Sequence, residues 1–152
     1  MILLDAYAVI AYLQADPHAG AEVRRLIAVE DSPAAALGVV NAAEVLDHLI
    51  RIRGVDPDAA VLDVAQLGLD VRPVDDRIGV LAGLLRARHY HPRQRQVSLA
   101  DCFAAATLLV SDDIEGLATS DPHLLDLVHA EGGHTVPLPD SDGTTWKPAG
   151  AP

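Results

Sequence analysis

The chain has few of the residues that build aromatic cores, cross-links or membrane spans. Among its 152 residues are one Trp, one Phe, three Tyr, one Met and one Cys. The lone Cys102 excludes an internal disulfide and says nothing about redox compartment. No apolar run reaches the roughly 18 residues needed to cross a bilayer. Met1 leads straight into an apolar stretch, without the basic n-region or cleavage site of a secretory signal. The expectations are therefore a cytoplasmic protein and no membrane partner. Lysine is nearly missing as well, since ten of the eleven basic residues are Arg and Lys147 is the exception. A formal net charge of −11 argues against a general nucleic-acid binder, because affinity for phosphate backbones comes from Lys and Arg neutralising phosphates. Net charge is an average, however. Arg86, Arg88, Arg93 and Arg95 crowd one segment with His89 and His91, leaving a local basic strip on an acidic protein.

What is present is a chain half apolar, rich in Ala, Val and Leu and long enough to bury one sizeable core. Small side chains suit close-set helices on a sheet, which favours α/β over an aromatic-rich sandwich. The opening MILLDAYAVIAYL reads as a buried strand delivering Asp5 to the start of a helix. A helix follows over residues 21–29, then a second strand over 34–40 bounded by Ser32 and Pro33, and a helix over 41–53 stopped by Gly54. Asp56 with Pro57 starts a further helix to about Gln66, residues 68–74 form a third strand, and Asp75 caps the next helix, with Ile78, Leu81, Leu84 and Leu85 on one face. The strongest helix spans 97–110, capped by Ser98 with Asp101 three residues on, and its expected buried face is Leu99, Phe103, Ala106, Leu109 and Val110. A fourth strand over 114–119, a helix from Ser120–Asp121–Pro122 to about His129 and an edge strand over 135–138 complete the pattern. Strands alternating with helices indicate a mostly parallel sheet with helices on both faces. Residues 1–138 make the domain, and 139–152, rich in Pro, Gly, Asp and Thr, are expected to be a mobile tail.

Four acids stand at the junctions of this pattern: Asp5, Glu44, Asp101 and Asp121. In a parallel sheet the strand-to-helix junctions share one edge, so carboxylates far apart in sequence can converge there. Helix capping is the competing explanation. Asn41 to Glu44 and Ser98 to Asp101 fit or approximate capping boxes, and Asp121 before Pro122 is an N-cap signal. Asp5 resists it, because a cap could be Ser or Asn without setting a charge against a buried strand. If the acids do converge, two carboxylates at roughly 5 Å repel by about 3 kcal/mol at an effective dielectric near 20. A divalent cation with a preference for oxygen, Mg²⁺ or Mn²⁺, removes that cost.

Asp5 in LLDAYAVIAYL, Glu44 in NAAEVLDHL, Asp101 in SLADCFAAATLL and Asp121 in TSDPHLL resemble, in that order and spacing, the four acidic motifs of PIN-domain ribonucleases, especially the VapC-type toxins of toxin–antitoxin systems. The resemblance spans about residues 1–137. It implies a three-layer α/β/α fold and hydrolysis of RNA phosphodiester bonds with a water activated by Mg²⁺ or Mn²⁺. It implies Asp5 and Asp101 as direct metal ligands, Glu44 and Asp121 as direct or water-mediated ones, and Thr119 as the small polar companion of the last acid. It also implies a small cognate antitoxin and a homodimer. The family commonly places Ser or Thr after the first Asp, where this chain has Ala6 and Tyr7. A phosphatase of the haloacid dehalogenase type would want a second Asp where Tyr7 stands, and a response-regulator receiver a Lys beyond the late strand, whereas the only Lys is Lys147 in the tail. The rival of a different class is a catalytically inactive module that keeps the fold to bind a protein partner. The basic strip is the candidate RNA contact, weighed against a solvated helix end.

Overall fold

The computed structural model describes residues 1–28 and 35–147. Five short strands, β1 (Ile2–Leu4), β2 (Ala35–Gly38), β3 (Asp70–Arg72), β4 (Gly116–Thr119) and β5 (Thr135–Pro137), form one sheet in the order β3-β2-β1-β4-β5. Every pairing is parallel, with Leu4 opposite Leu37 on one side and opposite Ala118 on the other. The helices are α1 (Ala6–Leu13), α2 (Ala19–Ile27), α3 (Val39–Asp47), α4 (Pro57–Gln66), α5 (Asp76–His89), α6 (Leu99–Val110) and α7 (Pro122–Ala130). The expected α/β/α architecture with a parallel sheet is what the chain adopts.

Period-two alternation in the strands divides the core. Leu3, Ala36 and Leu117 face one layer, packed with α5, α6 and α7; Leu4, Ala35, Leu37 and Ala118 face the other, packed with α1 to α4. Strands buried on both faces read as continuous apolar runs, which is why AALG and GLAT carry no polar alternation. The scarcity of aromatics is met by close approach. In α6, Ala104, Ala105 and Ala106 are all fully buried, and a Cβ on Gly20 of α2 would lie 2.6 Å from the Ala11 carbonyl oxygen of α1.

Several boundaries differ from those read in sequence. The second strand stops at Gly38, and Val39 and Val40 already belong to α3, so this helix begins two residues before Asn41. An unbroken apolar run hides such a junction, and Gly38 is its only mark. The expected helix over 41–53 is divided, because after Asp47 the chain widens into π turns over His48–Ile52 before Gly54, at φ +69°, stops it as expected. Leu99 and Leu84, expected in the core, are half-exposed, while Cys102, Thr107 and Leu108 are buried. α6 is covered on nearly all sides, so a single-stripe reading misplaces its core face. Ser32, Pro33 and Ala34, Val29 and the last five residues of the tail lie outside the described residues. Within the remainder of the tail, Pro139 pairs with Thr145 and the Asp140 side chain accepts from the Asp142 and Thr144 amides at 2.9 and 2.8 Å.

Candidate active site

Between β1 and β4, the connections that leave these two neighbouring strands run to opposite faces of the sheet, the kind of switch point at which open α/β sheets bind ligands. Asp5 emerges there, one residue beyond the Leu4 register and thus level with Gly38 and Thr119. It is 6 % exposed. Its Oδ1 accepts from the Ala8 amide at 2.7 Å, making it the N-cap of α1, and its Oδ2 accepts from the Thr119 hydroxyl. The same Thr119 hydroxyl accepts from the Asp121 amide at 3.0 Å, so one fully buried side chain ties the first acid to the last.

Asp121 caps α7 through the His123 amide at 2.7 Å. Asp101 lies in the first turn of α6, where a complete capping box joins it to Ser98: the Ser98 amide donates to Asp101 Oδ2 at 2.6 Å, and the Asp101 amide donates to Ser98 Oγ at 3.0 Å. Glu44 is different. With Gly38 at the N-cap, Glu44 stands in the second turn of α3 and caps nothing, and the Asn41–Glu44 pair is a side-chain bond along the helix, Nδ2 to Oε2 at 3.1 Å. The capping explanation thus holds for three of the acids without removing them from the site, and fails for the fourth.

All four line one cavity of about 270 Å³, together with Ala6, Tyr7, Asn41 and Ser120. Electrostatics report the same proximity. Burial pushes the Asp5 carboxyl up to about 7, opposed by its bonds from Thr119 and Ala8 and aided by the charges of Asp101 and Asp121. Loss of solvent also raises Asp101, with Asp121 adding to it, and raises Glu44, with Asp101 adding to it. Asp101 is the common neighbour of the other three. Burial likewise raises the Tyr7 phenol, which remains a neutral hydroxyl at the cavity wall.

Among the described residues no three His, Cys, Asp or Glu side chains close tightly enough to enclose an ion on their own. The donor set nevertheless suits a hard cation that keeps several waters and takes one or two carboxylates from protein. Its oxygens are carboxylate, hydroxyl and amide, no thiol or imidazole lines the cavity, and burial, with neighbouring carboxylates adding to it, already holds Asp5 and Asp101 above their ordinary range. Asn41, Ser120 and the clamp formed by Thr119 complete the site. Asn41 looked like a helix cap because Asn-x-x-Glu is a capping pattern; the signal against that reading was Gly38 three residues earlier.

The basic strip is partly consumed within the fold. Arg88 donates to both oxygens of Glu131 at 2.7 and 2.9 Å, and His89 bridges Glu131 at 2.5 Å and Arg95 at 2.7 Å. Arg86 stacks over Tyr90 at 4.3 Å. Arg93 is exposed and forms no ion pair among the described residues.

The fold has close counterparts among solved structures. VapC20 of Mycobacterium tuberculosis, described as a sarcin–ricin loop cleaving toxin, superposes with a TM-score of 0.66 at 21 % identity, covering 88 % of this chain and 96 % of that one. FitAcB of Neisseria gonorrhoeae gives 0.58 at 18 %, covering 89 % and 96 %. A toxin–antitoxin complex from Klebsiella pneumoniae gives 0.58 at 15 %, covering 80 % and 87 %. No curated protein matches the sequence. The family model for the PIN domain matches residues 2–129, which contain all four acids, and the chain belongs to the PIN domain family.

Proposed function

We propose that this chain is a Mg²⁺- or Mn²⁺-dependent endoribonuclease of the VapC type, acting in the cytoplasm as the toxin of a toxin–antitoxin pair. The observation that carries the proposal is the meeting of Asp5, Glu44, Asp101 and Asp121, from four separated segments, in one cavity at the switch point of the sheet. Membership of the PIN domain family and the fold shared with a sarcin–ricin loop cleaving toxin support RNA as the substrate. The fold shared with a toxin–antitoxin complex supports a small antitoxin as the partner.

In this reading Asp5 and Asp101 hold the divalent ion directly, and Glu44 and Asp121 hold it directly or through water. When bound, the ion supplies an activated water and offsets charge on the phosphodiester oxygens. The protein's contribution is orientation. Thr119 and the Ala8 amide fix the Asp5 carboxylate from both sides, and each oxygen keeps a lone pair for the cavity. The Ser98 box occupies only Oδ2 of Asp101. The nuclease domain comprises residues 1–138, with 139–152 outside it, and the active form is a homodimer. Arg93, exposed on the basic strip, is the proposed contact for the RNA backbone.

The test is cleavage of RNA by the purified chain with Mg²⁺ or Mn²⁺. Asp5→Asn and Asp101→Asn should abolish it while circular dichroism and the melting profile stay folded; full activity in either would sink the mechanism. The same ions should raise the Tm of the wild-type chain, as any ligand of the folded state must. RNA ends sequenced after brief induction, beside the Asp5→Asn control, would identify the substrate.

A further inference from the structure

Asn41 is 2 % exposed in the first turn of α3, and a buried side-chain amide has to find partners. Its Nδ2 has one, Glu44 Oε2 at 3.1 Å, but no protein donor among the described residues reaches its Oδ1. The orphaned oxygen lies beside Gly38, where an added Cβ would stand 3.2 Å from it. The reverse orientation would set the amide oxygen against a carboxylate, acceptor facing acceptor. The side chain is therefore held with its donor on Glu44 and its acceptor unmet, in a slot that the lack of a side chain at residue 38 keeps open. A residue retained only for packing would be apolar here, as Val45 on the same helix is. Glu44 is also the one acid of the four without a capping role to fix it, and the bond from Asn41 is the only hydrogen bond to its carboxylate among the described residues.

We propose that Asn41 is a positioning residue of the site, its amide nitrogen orienting Glu44 toward the cavity so that this carboxylate meets a divalent ion already aimed. The proposal rests on the metal-dependent reading above. Glu44 gains from Asn41 what Asp5 gains from Thr119 and Asp101 from Ser98. Partners of this kind change metal affinity or activity by about 10- to 100-fold when removed.

The experiment is Mn²⁺ binding to the full chain by calorimetry, with RNA cleavage measured in parallel. Asn41→Leu keeps the branching at Cγ and deletes the donor, and Asn41→Ala provides a second variant if the first folds poorly. Each should weaken Mn²⁺ binding by about 10-fold or more. In a Glu44→Gln background the same substitutions should add little, since the group being positioned has lost its charge. Wild-type affinity in both Asn41 variants overturns the proposal, as does a loss that persists undiminished beside Glu44→Gln. A wild-type chain that binds no Mn²⁺ overturns both this proposal and the metal-dependent reading, whereas wild-type binding with unaffected Asn41 variants overturns this one alone.

Discussion

A carboxyl held near 7 by burial makes Asp5 a stability determinant as well as a candidate ligand. Its folded value is raised above the unfolded value of 3.8, so the native state retains a proton that the unfolded chain releases between these limits. The stabilisation is fully present below pH 4 and is lost as pH rises through 7. At about 1.4 kcal/mol per unit, it amounts to a few kcal/mol at most. Asp113 and Glu131, lowered by Arg72 and by His89 with Arg88, work in the opposite sense, but their stabilisation fades only as pH falls through their depressed folded values. Asp101 and Glu44, also raised by burial, act in the same sense as Asp5, so the Asp5 effect is read between pH 5.5 and 8 as the difference between wild type and Asp5→Asn. In EDTA, Tm should be higher at pH 5.5 than at pH 8, Asp5→Asn should remove most of that difference, and Mn²⁺ should raise Tm more at pH 8. A site contribution of the opposite sign, read as wild type minus Asp5→Asn, would show that Asp5 is not raised. In sequence, Asp5 was legible because a charge after a buried strand needs an explanation. Asn41 was not, because its helical position depends on where β2 ends, and apolar side chains on both sides of that junction conceal it.

The elements carry the site through their ends. Ser98 contributes a cap and at the same time holds Asp101. Ser98→Ala should cost about 1 kcal/mol in denaturant unfolding and lower cleavage as Asp101 loosens; unchanged cleavage would mean the cap is only structural. The α1–α2 pair offers a sharper test of packing. Gly20→Ala sets a Cβ 2.6 Å from a backbone carbonyl that cannot swing aside, so it should cost roughly 1–3 kcal/mol and lower Tm by several degrees. Most elements could be located from the sequence because their starts carry chemistry: Asp56 with Pro57, Asp75, Ser98 and Asp121 each cap the helix expected of them. What local pattern does not encode is which positions stay exposed on a helix covered on nearly all sides. That is why Leu99 was expected inside and lies half-exposed.

For the whole molecule, charge is unevenly distributed against a net of −11. The arginines of the strip divide into two kinds that the sequence could not distinguish, since their partner Glu131 comes from the end of α7, more than forty residues away. Arg88→Ala should lower stability without changing the slope of log K against log salt for RNA binding in EDTA. Arg93→Ala should reduce that slope by about 0.7 with little effect on Tm. An unchanged slope in Arg93→Ala would remove the strip as the RNA surface. Architecture was legible at this scale because a parallel sheet places its strand ends on one edge whatever the loop lengths. The closeness of Thr119 to Asp5 needs the register of β1 against β4, which sequence alone does not supply.

Two of the four acids, Asp5 and Asp121, are also helix caps, and Asn caps a helix about as well as Asp does. An Asp-to-Asn exchange at residue 5 or 121 therefore keeps the helix start while discarding the charge, and a single nucleotide change is enough to make it. The chemistry of this fold can be lost by a step that leaves the helix start capped. Selection on folding alone would not hold these acids in place, so a lineage relieved of the need for cleavage would drift readily into folded, silent relatives that still present the surfaces of the parent.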